Sequence, residues 1–323
     1  MTVITYRSAI ATALGDMMEE DPDIFLLGED IGAAGGAFKA TEGLFARFGP
    51  ERVLDTPISE QAIIGAAIGA AAMGLKPVAE IMFADFAAVC FDQIVNELAK
   101  YRYMTAGQVS MPVTIRLGNG AGGFGAQHSQ PVENWFLNVP GLKIVVPATP
   151  SDLYGLLCAS IEDENPVLVF EHRRLLNLKE EVPRQSRIPI GQAAVVREGS
   201  DVTIIATQLM RHHAIEAADE LAREGVMAEV IDLRTLRPID IDTLSASLDK
   251  THRLVVAQEA SSLGSWGSSV IAELVSECFE SLDAPPYLVS ADDAPVAYSA
   301  PLEDAWIPSS SRVLGAVRAT LDY

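Results

Sequence analysis

Apolar and polar positions along this chain switch between a strand-like and a helix-like period. Compact apolar runs at 24–27 (IFLL), 77–82 (PVAEIM), 113–117, 143–146 and 167–170 end in Gly, Pro or charged residues and predict buried strands. Helix-period stretches lie between them. Thr5 caps a first helix with Ile10, Leu14, Met17 and Met18 on its apolar face, and Asp21-Pro22 stops it. Shorter helices are expected at 44–48 and 151–161, and a longer one at 85–103 with Phe91, Ile94, Val95 and Leu98 inward. The pattern pauses at 176–190, LNLKEEVPRQSRIPI, which is charged, carries Pro183 and Pro189 and lacks periodicity. It then resumes with strands at 202–206, 228–233 and 253–258 and helices at 210–224, 241–248, 266–279 and 312–321. Strand alternating with helix predicts an α/β protein with mostly parallel sheets covered on both faces. The expected domains are 1–175 and 191–323, with 176–190 as linker.

One stretch stands apart. Residues 55–74, DTPISEQAIIGAAIGAAAMG, begin with a Pro turn and Ile58, after which the Ser59 hydroxyl can cap a helix. The helix is almost all Ala, Gly and Ile, so it is expected to be buried all round, with Gly65, Gly69 and Gly74 letting another backbone approach. Glu60 is the anomaly, because an isolated buried charge is costly. It reads either as a first-turn carboxylate stabilised by the helix dipole or as a functional carboxylate at a pocket mouth.

Composition narrows the function. The 323 residues are 49% hydrophobic with a formal charge of −21, which excludes the basic surface that nucleic-acid binding needs. Cys90, Cys158 and Cys278 are scattered without a CxxC pair, as expected of reduced structural thiols rather than a zinc site. The N-terminal residues lack the basic-then-apolar order of an export signal, and the small-residue run at 62–74 is too short and Gly-rich to span a membrane. A cytoplasmic location is the expectation.

Chemistry-bearing motifs are few. GxSxG, GxxxxGK[ST] and HExxH are all absent. The Gly-rich stretch 118–130, GNGAGGFGAQHSQ, follows a strand and carries His128 among Gln127, Ser129 and Gln130. A lone histidine is commonly structural, but this loop setting also suits a proton-moving imidazole. One helix-start Glu and one loop His, both at carboxyl ends of strands, could tune a bound cofactor; they could not carry difficult chemistry unaided.

The ordered set LLGEDIG, DTPISE (55–60), EIMFADF (80–86), GAQHSQ (125–130) and VIDLRTLRPID (230–240) closely resembles the beta subunit of the thiamine-diphosphate-dependent decarboxylase of 2-oxo acid dehydrogenase complexes, a family that includes pyruvate, branched-chain 2-oxo acid and acetoin dehydrogenases. The resemblance spans essentially the whole chain and implies a transketolase-like pyrimidine-binding domain followed by a transketolase carboxy-terminal-like domain. It implies that Glu60 hydrogen-bonds a ring nitrogen of the aminopyrimidine of thiamine diphosphate and favours its imino tautomer. Ile58 and Met82 would line that pocket, and Phe86 would either pack on the pyrimidine face or simply fill core. His128 would bind or protonate the substrate carbonyl region and assist acyl transfer to a lipoyl arm, oriented by Gln127 and Ser129. A structural potassium ion would be held largely by main-chain oxygens, with Val113, Ser160, Ile161, Asp163 and Asn165 at the corresponding positions.

The resemblance also implies partners. The magnesium- and diphosphate-binding GDG motif is absent from this sequence and belongs to an alpha subunit, with two copies of each chain in a heterotetramer. A basic subunit-binding domain of the lipoyl acyltransferase core would dock at Asp292, Asp293 and the carboxylate after Tyr323. The substrate would be a small 2-oxo acid or acetoin. Two rival readings are a split transketolase-like enzyme acting on sugar phosphates and a non-catalytic scaffold subunit. The first should place basic residues in 118–130, where there are none; retention of Glu60 and His128 speaks against the second.

Overall fold

The computed structural model describes residues 2–323 and divides into two compact units. Unit 1 comprises Met1–Asn119 and Trp135–Ile190; unit 2 comprises Gly120–Asn134 and Gly191–Tyr323. The Gly-rich stretch that follows strand Thr114–Asn119 therefore belongs to unit 2. The segment 176–190, expected as a linker, lies in unit 1 and carries strand Lys179–Val182, antiparallel to Thr2–Thr5. Its polar composition is that of an exposed two-stranded ribbon.

In unit 1 the strands pair in parallel in the order Lys143–Val145, Val167–His172, Thr114–Asn119, Lys76–Ile81, Ile24–Gly28 and Val53–Asp55. Val167–His172 is buried along its whole length, as expected of a strand with both sheet faces covered. Helix Tyr6–Glu20 starts as its sequence predicts, with Thr5 accepting a bond from the Ser8 N–H, and it buries Ile10, Leu14, Met17 and Met18. It packs against Pro150–Glu162.

Three expectations need correction. Helix Glu60–Ala72 has Ser59 at its N-cap position, but the hydroxyl makes no capping bond. The helix is not buried all round: Ile63, Ile64, Ala67, Ile68 and Ala71 face inward, whereas Gln61, Ala62, Gly65, Ala66 and Gly69 are exposed. The outer face is so poor in side-chain volume that it carries no polar signal. The expected helix 85–103 is broken into a 3₁₀ turn, Ala84–Ala88, a π-helical turn, Gln93–Leu98, and a short α-helix, Ala99–Met104. The wider π turn re-phases the segment, so that Ile94, Leu98 and Ala99 are buried while Phe91 and Val95 are only half-buried.

Unit 2 is a second sheet in the order Tyr287–Ala291, Leu254–Ser261, Val202–Ala206, Ala228–Asp232 and Ala194–Arg197, parallel except for the last pair. Helices Gln208–Arg223 and Ser310–Leu321 cover one face through Ala214, Ala218, Leu221, Val313 and Val317, packed on Val202, Ile204, Val230 and Val255. Elsewhere in the unit, Thr203 Oγ1 bonds the hydroxyls of Ser247 and Thr251, each at 2.6 Å.

One ion cluster pins the centre of unit 1. Arg116 is fully buried between two carboxylates on neighbouring strands. Its Nη1 donates to Glu80 at 2.5 Å, and its Nε and Nη2 donate to both oxygens of Glu171 at 2.6 and 2.9 Å. This bidentate geometry answers the cost of desolvating the guanidinium. Burial pushes the Glu171 carboxyl above its usual range, opposed by Arg116 and reinforced by Glu80. Removing the cation strands two buried carboxylates, so Arg116→Met is expected to destabilise unit 1 by about 3–5 kcal/mol. The same change in a Glu80→Gln, Glu171→Gln background should cost less than half as much. Urea midpoints of the four proteins check this; equal losses in both backgrounds would refute it.

Candidate active site

Glu60 opens its helix at the carboxyl-end side of the unit 1 sheet. Ahead of it, strand Val53–Asp55 ends where Thr56 N–H donates to the Gly28 carbonyl at 3.0 Å. The Asp55 carboxylate accepts the Gly32 N–H at 2.6 Å. Strand Ile24–Gly28 is thereby tied, through the acidic loop after it, to the segment that leads into Glu60. The first aspartate of DTPISE thus shapes the loop, a role the motif did not disclose.

Glu60 itself is 7% exposed and makes no hydrogen bond or ion pair with any described residue. Its neighbours register its charge. The Glu29 carboxyl is held above the usual carboxylate range by burial, then by the charges of Glu60 and Asp30. Burial and Glu60 together push the Cys90 thiol up to about 12. The helix N-terminus supplies favourable partial charge, but no donor from the protein completes the carboxylate.

The other expected pocket residues divide. Ile58 is 84% exposed, so within this chain it lines nothing. Met82 is half-buried and borders a small enclosed cavity with Phe38, Glu80, Arg116, Gly118 and Arg173. Gly118 permits this packing, because a Cβ there would lie 2.8 Å from the Met82 carbonyl oxygen. Phe86 is half-buried and meets Phe83 edge-on at 5.9 Å, and Phe83 meets Phe38 at 5.6 Å. The Arg173 guanidinium lies 5.3 Å from the Phe83 ring centroid. Phe86 is therefore part of an aromatic cluster and is only half-buried there.

His128 ends the short helix Gly125–His128 in unit 2 and is half-buried. Gln127 is exposed. Ser129 is fully buried, and its hydroxyl accepts the Phe124 N–H at 3.0 Å, closing the loop that carries His128. Its effect on the histidine runs through the backbone.

The potassium candidates all lie in unit 1. Met111 N–H donates to the Glu164 carbonyl at 2.9 Å and Val167 N–H to the Val113 carbonyl at 3.0 Å, which sets 111–113 beside 164–167. The Asp163 carboxylate is engaged by Lys143 and by the backbone and side-chain nitrogens of Asn165. The Ser160 hydroxyl donates to the Leu156 carbonyl, and Ile161 is buried in the same helix. Main-chain oxygens remain as the donors for any cation here. Asp292 is exposed and lies 3.6 Å from Arg312; Asp293 and Tyr323 are also exposed.

Comparison with known proteins places this geometry. The model of the transketolase pyrimidine-binding domain matches residues 2–179, and that of the transketolase C-terminal domain matches 191–313. The chain is 46% identical over 330 residues to the beta subunit of acetoin:2,6-dichlorophenolindophenol oxidoreductase from Cupriavidus necator, covering 98% of this chain and 97% of that one. It is 43% identical over 327 residues to the 2-oxoisovalerate dehydrogenase beta subunit of Bacillus subtilis, covering all of both. It is 44% identical over 321 residues to a mitochondrial pyruvate dehydrogenase E1 beta-2 subunit of Oryza sativa, covering 98% of this chain and 85% of that protein. A solved structure described as a split-gene transketolase, an inactive beta4 tetramer, superposes with a TM-score of 0.81 at 31% identity over 99% of this chain and 98% of that one. The chain belongs to the family of transketolase-like E1 beta subunits that includes those of the acetoin, pyruvate and 2-oxoisovalerate dehydrogenases.

Proposed function

We propose that this chain forms the pyrimidine side of a thiamine-diphosphate site, completed by an alpha subunit, in a dehydrogenase that converts a small 2-oxo acid or acetoin and passes the acyl group to a lipoyl arm. The observation that carries the reading is Glu60, a largely buried carboxylate at a helix start that bonds to no described residue. Thiamine diphosphate, when bound, supplies the electron sink for cleaving the bond next to the carbonyl. Glu60 holds or shares a proton with the aminopyrimidine ring, beside Glu29, whose carboxyl is raised by burial and by the Glu60 charge. Met82 and Phe86 would offer apolar walls to the bound pyrimidine. His128 gives or takes a proton at the substrate oxygen and at the incoming thiol.

The alpha subunit would supply magnesium and the diphosphate cradle, since the sequence lacks GDG. Exposure of Ile58, Gly65, Gly69 and Met73 on and around the Glu60 helix supports a covering chain in a two-plus-two tetramer. Potassium at the Val113 and Ser160–Asn165 main chain, and an acyltransferase domain docked at Asp292, Asp293 and the terminal carboxylate, complete the proposal. No helix among the described residues is long and apolar enough to cross a membrane. We place the protein in the cytosol. The sugar-phosphate alternative lacks cationic side chains in 118–130.

Co-expression with a neighbouring alpha subunit tests this. The purified complex should reduce dye in a thiamine-diphosphate-dependent manner with acetoin, pyruvate or 3-methyl-2-oxobutanoate and stay silent with sugar phosphates, while the single chain should be inactive and bind the cofactor poorly. Activity from this chain alone would sink the shared-site reading. Glu60→Gln should lower turnover by about 10²-fold or more in every assay. His128→Ala should lose on the order of 10²-fold in acyl transfer to a lipoyl domain and clearly less in dye reduction. Equal losses in the two assays would remove the acyl-transfer role from His128.

A further inference from the structure

The loop that carries His128 is held by two carboxylates that are distant from it in sequence. Within unit 2, Ala121 N–H donates to Glu259 Oε1 at 2.7 Å. Gly122 N–H donates to Glu303 Oε1 at 3.1 Å, and Gly123 N–H reaches both Glu303 oxygens at 2.9 and 3.1 Å. Three consecutive backbone donors thus converge on anions. Gly120 and Gly123 make that convergence possible, with φ of 74° and 82°, where a side chain would be strained. Both acids are buried, Glu259 to 7% exposure and Glu303 to 2%. Glu303 sits on helix Ala300–Trp306, and Trp306 packs with Ile307, Val296 and Ala291 against Ala121. The Trp306 indole donates to the Ala294 carbonyl at 2.9 Å, which fixes the helix in turn. At the far end of the segment, the Asn134 side chain accepts the Trp266 N–H at 2.9 Å.

From Gly123 the chain passes directly into the ring closed by Phe124 N–H and the Ser129 hydroxyl, with His128 inside it. We propose that Glu303, seconded by Glu259, is a positioning residue: its carboxyl oxygens clamp the 121–123 backbone and thereby set where the His128 imidazole stands. The inference rests on the proposed role of His128. An anion is the right group here. A carboxylate offers acceptors only, whereas a glutamine in its place would turn an NH₂ toward one of the converging N–H groups. The clamp acts on backbone, so it requires glycine where the loop turns and an acid in the carboxy-terminal domain. These are the two features the loop and the helix bring together.

The test compares Glu303→Gln, Glu259→Gln and His128→Ala, and the pairwise double variants, in the complex with the alpha subunit. Two readouts are used: amide hydrogen exchange by peptide, and kcat with KM for acyl transfer to a lipoyl domain. Glu303→Gln should speed exchange about 10-fold or more in the 118–130 peptide while the Val202–Ala206 and Ala228–Asp232 strands stay protected. It should lower kcat on the order of 10-fold, leaving KM and thiamine diphosphate affinity unchanged. Glu303→Gln should cost nothing further in the His128→Ala background. Unchanged exchange at 118–130, faster exchange throughout unit 2, or losses that multiply in the double variant would each overturn the proposal. If His128→Ala is harmless while exchange still rises only at 118–130, the clamp stands and the role given to His128 falls. Should Glu303→Gln not fold, Glu259→Gln reports the same clamp at the Ala121 bond, with a smaller effect of the same pattern.

Discussion

A carboxylate buried without a protein partner is the constraint around which unit 1 is arranged. Glu60 is 7% exposed and bonds to no described residue, so no contact within the fold accounts for a carboxylate at this position. The same unit shows how it treats charges that serve structure. Arg116 lies between Glu80 and Glu171 with its donors engaged, and Asp163 is engaged by Lys143 and Asn165. Glu60 has no counterpart to these bonds. Its charge is instead felt by Glu29 and Cys90, which shift upward rather than supply a donor. At the start of a helix whose dipole favours an anion, such a carboxylate suits the cofactor contact proposed for it.

The large acidic excess looks at first like a solvated surface. Several of these acids instead bond loop backbones. Asp55 takes the Gly32 N–H, Glu259 that of Ala121, and Glu303 those of Gly122 and Gly123. Asp240 takes Ala193 and Thr243 N–H groups near the start of unit 2, and Asp201 takes that of Met227. Each anion meets N–H groups that the sheet and helices leave over, and each fixes a turn without burying much apolar area. Site loops rich in glycine have little side chain with which to anchor themselves. Carboxylates from elsewhere in the same unit supply that anchor, and the backbone becomes as well defined as a strand edge.

Much of the architecture was legible because its elements are long and periodic. Thr5 caps the first helix as read, Leu44–Phe48 is the short helix expected, and strand Val202–Ala206 has the predicted bounds. Among the elements that escaped are Val53–Asp55, Tyr287–Ala291 and helix Ala300–Trp306, whose sequences carry little period. The breaks within 84–104 had no Gly or Pro to announce them, since tertiary packing sets the π turn there. Glu60 and His128 were visible as chemical oddities in apolar or glycine-rich settings. Glu303 was not, because the bonds that give it a purpose reach back 180 or more positions and a lone glutamate on a short helix reads as surface.

The sharpest feature lies in two positions of one motif. Ile58 is 84% exposed while Glu60, two residues on, is 7% exposed. Hydrophobicity alone would order them the other way, with the isoleucine inside and the carboxylate in water. A chain that folded only for its own stability would gain by the exchange. Under the proposed function, neither residue has reached its final environment within this chain. An apolar side chain held out and an acid held in are what one half of a shared site presents when its other half is a cofactor and a second subunit. On that reading the exposed Ala and Gly face of the same helix is not a defect of packing: with no side chain beyond Cβ it lets a neighbouring backbone come close without displacing anything.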